Sequence, residues 1–239
     1  MATRPSFWER DVYRLVAAVC VLFVVLTVVA MLLYPGGTPF NQTGKRYDFF
    51  DNFFSDLGQT RTPSGQSNTA SLVLLVTALT AVAVVMVLFF VAFVGFFSGR
   101  RRRLGRLASL FGVVTAICFV GVAATPWDLY LEAHNAFVKI AFPSFLVAVL
   151  LYTVAILLEH SVPQRFAWVF IAYAVILAAY VVLILAGPDV KTSTGRIIQV
   201  AGQKVIVYAS VVTVLVQSLA AVTLASEQGS GDPDRPRVA

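Results

Sequence analysis

Residues 70–97 read ASLVLLVTALTAVAVVMVLFFVAFVGFF, without one charged side chain. A helix needs roughly 20 apolar residues to cross about 30 Å of hydrocarbon, and this block exceeds that. Comparable blocks stand at 13–34, 105–125, 134–158, 166–186 and 197–225. None keeps a period-2 alternation and each is about twice the length of a barrel strand, so helices are expected rather than strands. Composition agrees: 59% hydrophobic and 13% charged residues with a mean hydropathy of +0.83, against about 25% charged in a soluble domain. The fold class is therefore all-α, a polytopic membrane bundle of six transmembrane helices forming one domain over 1–225. The first block is too long for a cleaved signal peptide, and MLLYPGG after it offers no small-residue cleavage site. Residues 226–239, SEQGSGDPDRPRVA, are Gly/Pro-rich and charged and are expected to be a disordered cytoplasmic tail.

Basic residues set the expected orientation. The turn 98–107, SGRRRRLGRL, carries Arg100, Arg101, Arg102, Arg103 and Arg106. With six spans both termini share its side, which also collects Arg4, Arg10, Arg14, Arg165, Arg235 and Arg237. The other side holds Lys45, Arg46, Arg61, Lys191 and Arg196. An excess of arginine and lysine marks the cytoplasmic side, so cytoplasmic termini in a plasma-membrane protein are expected, with 35–69, 126–133 and 187–196 outside. Topology suffices to explain the arginine run, with a lipid-head-group role as the alternative. The pI of about 9.6 is read in the same way, and nucleic acid is not an expected partner.

One stretch of the first outer loop breaks the apolar pattern: YDFFDNFFSDLG, residues 47–58. On a helix, Asp48, Asp51, Asn52, Ser55 and Asp56 form one face and Phe49, Phe50, Phe53, Phe54 and Leu57 the other. A short amphipathic helix over 47–57, ended by Gly58, is expected to cap the bundle with its phenylalanines inward or in lipid. Its carboxylates would face basic groups. Other unusual residues fall on the same side: Asp128, Glu132, His134, Asn135 and Lys139 around the fourth span, and Arg196, Gln199, Gln203 and Lys204 in the sixth.

Ionisable groups inside spans are expensive and normally face a bundle interior. Lys139, about 8 Å deep, and Lys204, about 12 Å deep by helical rise, point to one cationic cavity between the fourth and sixth helices. The alternative is snorkelling to the head groups, which suits Lys139 as well as burial does and Lys204 less well. Gln199 and Gln203 could equally be interhelical glue, and a lone His134 is more often a boundary histidine. Pro143 leaves the Lys139 carbonyl without its helical donor and invites a kink there. Two cysteines at different depths do not suggest a disulfide. Two histidines on opposite faces do not suggest a metal site, and no cofactor is expected.

FFSDLG in the first outer loop, Asn68 before the second span, GVAATPWD and HNAFVKIAF resemble, in this order, the prokaryotic six-helix membrane family called domain of unknown function 998. They resemble more distantly the eukaryotic six-helix family of autophagy modulators and GPI-anchor lipid-remodelling factors. The resemblance covers most of 12–225 and implies that Ser55, Asp56, Gly58 and His134 share an outer-face site. Gln203 and Lys204 stand where the eukaryotic group has an acidic or aromatic feature.

The expected function is lipid handling: binding or processing a membrane lipid, or a lipid-linked anionic molecule, entering from the outer leaflet. Ser55, Asp56 and His134 are the candidate catalytic residues, with His134 as base, Asp56 or Asp128 as its orienter and Ser55 as nucleophile. Asp128, Asn135, Lys139, Arg196, Gln199, Gln203 and Lys204 are the candidate ligand-binding residues. A proton- or ion-coupled transporter and a membrane scaffold are the alternatives. Besides the lipid, a second copy of the chain is a candidate partner.

Overall fold

The computed structural model describes residues 7–230. Arg4, Arg235, Arg237 and the expected tail beyond Ser230 lie outside them. Six long helices account for most of the described chain: α1 (Phe7–Leu33), α2 (Thr69–Phe93), α3 (Gly99–Ala124), α4 (Trp127–Leu158), α5 (Arg165–Ala186) and α6 (Ser193–Ser230). All six are long and apolar enough to cross a membrane, so this is a multi-pass membrane protein with an all-α bundle. Even α5, with 22 residues, extends about 33 Å at 1.5 Å per residue.

The helices begin and end close to the apolar blocks, with two informative differences. α3 starts at Gly99, so the arginine run is helical rather than a loop; arginine is a good helix former, and its long stem lets the charge reach out of the bilayer. α4 starts at Trp127, directly after Pro126. Its first turn is separated from the rest by a non-helical Tyr130 (φ −133°, ψ 48°), whereas α4 runs on through Pro143 without a second break. The kink therefore lies three turns before the proline that suggested it.

Each helix packs on its neighbours in sequence, and α6 closes the ring on α1. One end of the ring carries Arg100–Arg103 and the other carries the loop 34–68; these are called the arginine end and the loop end. Two different devices fill the interior. On α3, Gly105, Ala108, Ser109, Gly112, Thr115 and Ala116 form a buried stripe of small residues that lets neighbouring helices approach. A Cβ on Gly112 would meet the Phe90 ring of α2.

The half toward the arginine end is packed with rings. Phe93 touches Phe89 and Tyr152 at 5.1 Å between centroids and Phe170 at 6.1 Å, while Tyr13 stacks on Phe96 at 5.8 Å. The Tyr152 hydroxyl is 2.6 Å from Ser109 Oγ and donates to the Phe90 carbonyl at 3.0 Å, so this buried hydroxyl is satisfied. Outward faces are apolar as well, as with Leu32, Val175 and Trp168, each more than half exposed, which is how a bundle meets lipid rather than water.

Placing a branched side chain in the α3 stripe separates this packing. Gly112→Val should cost about 1–3 kcal/mol of stability, read as a lowered midpoint of thermal unfolding in detergent. Val175→Leu on the outer face should leave the midpoint unchanged. A Gly112→Val protein as stable as the parent would contradict the close α2–α3 contact.

Candidate functional site

The strip 47–58 does not form one amphipathic helix. It turns at 49–52 and then makes a short 3-10 helix, Phe54–Gly58. Side chains that compete with helical hydrogen bonds explain the break. Asp48 Oδ1 accepts from the backbone N–H of Phe50 (2.9 Å) and Asp51 (3.1 Å), while Asn52 Oδ1 accepts from the Asp48 N–H (2.9 Å). Asp56 then takes the Phe53 N–H at 2.9 Å and caps the 3-10 turn. The two faces are also not those expected from a helical wheel. Asn52, Asp56, Phe54 and Leu57 are buried, while Phe49 and Phe50 are exposed at the surface of the loop.

Asp56 is the hub. Its carboxylate is fully buried and receives four donors: Asn52 Nδ2 (2.9 Å), the Phe53 N–H (2.9 Å), Trp127 Nε1 (3.1 Å) and an Arg196 guanidinium nitrogen (3.3 Å). Burial pushes the carboxyl above its ordinary range, and the donors work against that push. Asn52 adds a bond to the Gly37 carbonyl (3.0 Å). Gly36 and Gly37 carry φ of 105° and 95°, a backbone turn that only glycine adopts without strain. Asn68, at the start of α2, donates to the carbonyls of Leu57 and Gln59 at 3.0 Å each, fixing the loop from the opposite side.

The two buried cations of α6 serve the same knot. Arg196 Nε donates to the Asp51 carbonyl at 2.6 Å, and its guanidinium lies 5.0 Å from the Phe53 ring centre. Lys204 Nζ donates to the Asn52 carbonyl at 2.5 Å, with the Tyr47 and Phe49 rings 5.3 and 5.0 Å away. Lys204 is thus inside the bundle, 3% exposed, as depth alone suggested. It binds a loop carbonyl and two aromatic faces and is not in the wall of the cavity beneath the loop. Gln203 Oε1 accepts from the Phe54 N–H at 2.6 Å.

Beneath this cap an interior cavity of about 60 Å³ opens among α2, α3, α4 and α6, walled by Ser55, His134 and Gln203 with apolar side chains below. His134 is 6% exposed, and its Nδ1 lies 2.8 Å from the Thr125 carbonyl. A carbonyl only accepts, so Nδ1 carries the proton, and in the neutral tautomer that fits this bond the lone pair lies on Nε2. The orienter of His134 is therefore backbone, not Asp56 or Asp128. Neither His134 Nε2 nor Ser55 Oγ has a hydrogen-bond partner among the described residues. A second cavity of similar size, wholly apolar apart from Cys20 and Ser210, adjoins it; both share Leu79, Phe119, Phe142 and Val207.

The remaining candidates stand apart. Asp128 accepts from the Thr60 N–H and hydroxyl and from the Arg61 N–H, so it pins the loop. Gln199 donates to the Leu183 and Pro188 carbonyls and joins α6 to the end of α5. Lys139 and Asn135 are exposed on the outside of α4. Lys139 therefore does not share a cavity with Lys204: its position on α4 faces away from the ring. Among the described residues no three of His, Cys, Asp or Glu come together as a metal site.

Trp127 and Thr125 are parts of the site that the sequence did not single out. Trp127 is the aromatic of TPWD, and a ring at a span boundary is common enough to give no signal. Thr125 acts through its backbone, which leaves no trace in side-chain chemistry.

Removing the hub should open the cap. Asp56→Ala leaves Arg196 buried beside an empty position and should cost about 3–5 kcal/mol, measured as a shift in the unfolding midpoint in detergent. Asp56→Ala/Arg196→Met should lose much less than the two single variants added together. Strict additivity would mean the two groups do not interact. Comparison with family models, curated proteins and solved structures finds no match for the chain.

Proposed function

We propose that the protein binds the apolar chain of a membrane lipid inside its helix ring, with the lipid's polar group at Ser55 and His134. The observation that carries this reading is the pair of adjoining cavities, walled mainly by apolar side chains, with Ser55, His134 and Gln203 gathered at the loop end. Ligand sites of this kind are mostly apolar concavities with a few convergent polar groups, usually of about 300–1,000 Å³; two cavities of about 60 Å³ each take only a short stretch of the chain unless the helices part to admit the rest. The distant resemblance of the Ser55-Asp56-x-Gly58 element and of His134 to the eukaryotic lipid-remodelling group, if it holds, is in keeping with this reading. The transport reading is weakened by the packed rings around Phe93 and Tyr152, which fill much of the interior toward the arginine end. The lipid is proposed to enter from the outer leaflet of the plasma membrane, because the arginine end carries the basic excess expected of the cytoplasmic side.

A catalytic form of this reading is favoured by one detail, the unpartnered Ser55 Oγ and His134 Nε2 on one cavity wall. In it Nε2 takes the serine proton as Oγ attacks the lipid's ester carbonyl, the imidazolium returns that proton to the departing alcohol as the ester C–O bond breaks, and water deprotonated by Nε2 then releases the fatty acid from Oγ. Lys204 and Arg196 act only by holding the loop that carries Ser55.

Lipids extracted from the detergent-exchanged protein and weighed by mass spectrometry test the binding. The parent should retain about one chain-bearing lipid per protein, and Val207→Trp, which fills the junction of the two cavities, should lose it. Lipid retained equally by Val207→Trp, or absent from the parent, would sink the reading. In the catalytic form, His134→Gln should keep the lipid and abolish fatty-acid release.

Orientation is tested separately. A single cysteine replacing exposed Gln66 should react with an impermeant maleimide added outside intact cells. Labelling only after lysis would reverse the assignment.

A further inference from the structure

A second concavity lies far from the capped site. At the arginine end a groove of about 960 Å³ opens between the start of α3 and the end of α4. Its lining joins the basic or titratable Arg100, Arg101, Arg103 and His160, called its mouth here, to the apolar Leu104, Leu107 and Leu158, called its floor.

The charge in this groove is not balanced from within. Glu159, the acid beside it, is 5% exposed and already engaged: it accepts from the Ser98 N–H and hydroxyl at 3.3 Å and from Arg101 at 3.2 Å. Burial acts to raise its carboxyl, but these donors, with Ser161, outweigh that and hold it below the ordinary range, so it stays ionised and bound to Arg101. Arg100 and Arg103 form no ion pair among the described residues. Two guanidinium groups therefore face the groove in excess.

Membrane topology accounts for arginines at this end, but it requires neither a concavity nor an apolar floor. The leucines make the difference. Leu107 and Leu158 are 45% and 53% exposed, and Leu107 stands eight residues into α3, about 12 Å along its axis from Gly99. Such a floor lies at hydrocarbon depth while the guanidinium groups sit at the membrane surface. An acidic protein or a nucleic acid could meet the mouth but not the floor. An occupant that satisfies both is anionic at one end and apolar at the other.

We propose that this groove is a binding site for an anionic glycerophospholipid, independent of the interior site and of its function. Arg100 and Arg103 hold the phosphate, which guanidinium forks suit by paired hydrogen bonds. One acyl chain runs along Leu104, Leu107 and Leu158. Arg101, fixed by Glu159, borders the site and sets its width.

Native mass spectrometry of the full chain, titrated with phosphatidylglycerol or phosphatidylcholine, tests this. The parent should bind one phosphatidylglycerol in preference to phosphatidylcholine. Arg100→Gln/Arg103→Gln should weaken that binding on the order of 10- to 30-fold, the size expected for two surface arginines. Arg106→Gln removes a charge from the same helix outside the groove and should change it little. Leu107→Trp, which fills the floor and alters no charge, should also weaken it and guards against misfolding of the arginine variant. Equal losses in Arg106→Gln and in the double variant would mean diffuse charge attraction and overturn the site. Competition by glycerol phosphate as effective as by the lipid would overturn the lipid assignment in favour of a free-phosphate site. Unchanged binding in Leu107→Trp would remove the floor from the proposal and with it the lipid.

Discussion

A carboxylate with no access to solvent governs the loop end of this protein. Asp56 cannot be buried alone, since moving an unpaired charge out of water costs several kcal/mol even after relaxation. It is tolerable only where Arg196, Trp127, Asn52 and the Phe53 N–H converge. Those four donors come from α6, from α4 and from the loop itself, so one group fixes three parts of the chain relative to one another. A buried pair of this kind adds little net stability compared with an apolar replacement. Its effect here is to make one arrangement of the 47–58 loop far better than any other.

The same constraint explains why the sixth helix carries so many polar residues near one end. Arg196, Gln203 and Lys204 each bond a different point of the loop: Asp51 and Asp56, Phe54, and Asn52. Within a hydrocarbon environment the loop's carbonyl and N–H groups have no water to turn to, and buried backbone groups must find partners. α6 supplies them in place of a strand or a further helix. Its lysine touches a carbonyl and two ring faces, with no carboxylate in direct ion-pair contact, an arrangement that aromatic quadrupoles favour.

The helices were legible because their signal is additive: 20 or more apolar residues leave few alternatives, and every boundary but the starts of α1, α3 and α4 fell within five positions. The depth argument also located Lys204 inside the ring. It could not distinguish Lys139, because depth fixes the cost of a charge and not the azimuth of the helix that carries it, and α4 turns that side chain outward. The helical wheel failed over 47–57 for a local reason. Asp48, Asn52 and Asp56 are the residue types that bond their own neighbouring backbone, and three of them within nine residues outweigh the periodicity. Pairing His134 with an aspartate failed because a backbone carbonyl does the same task without any residue signature.

Cap and cavity are one construction. Phe54, Ser55 and Gly58 roof the cavity while belonging to the turn that Asp56 caps, so the ion pair sets where the Ser55 hydroxyl points. Most polar groups around that roof are already committed: Gln203 Oε1 to the Phe54 N–H, the Thr125 hydroxyl to Gly121, and the Thr125 carbonyl to His134. What remains open is the Ser55 hydroxyl, one imidazole nitrogen and the Gln203 amide nitrogen, above walls of leucine, valine and phenylalanine. Water would satisfy these polar groups but gains nothing from the walls, and apolar cavities stay dry. A molecule with one polar group at its head and a hydrocarbon chain behind it meets both demands at once, which is why the lipid reading follows from the site's unsatisfied atoms rather than from its charges.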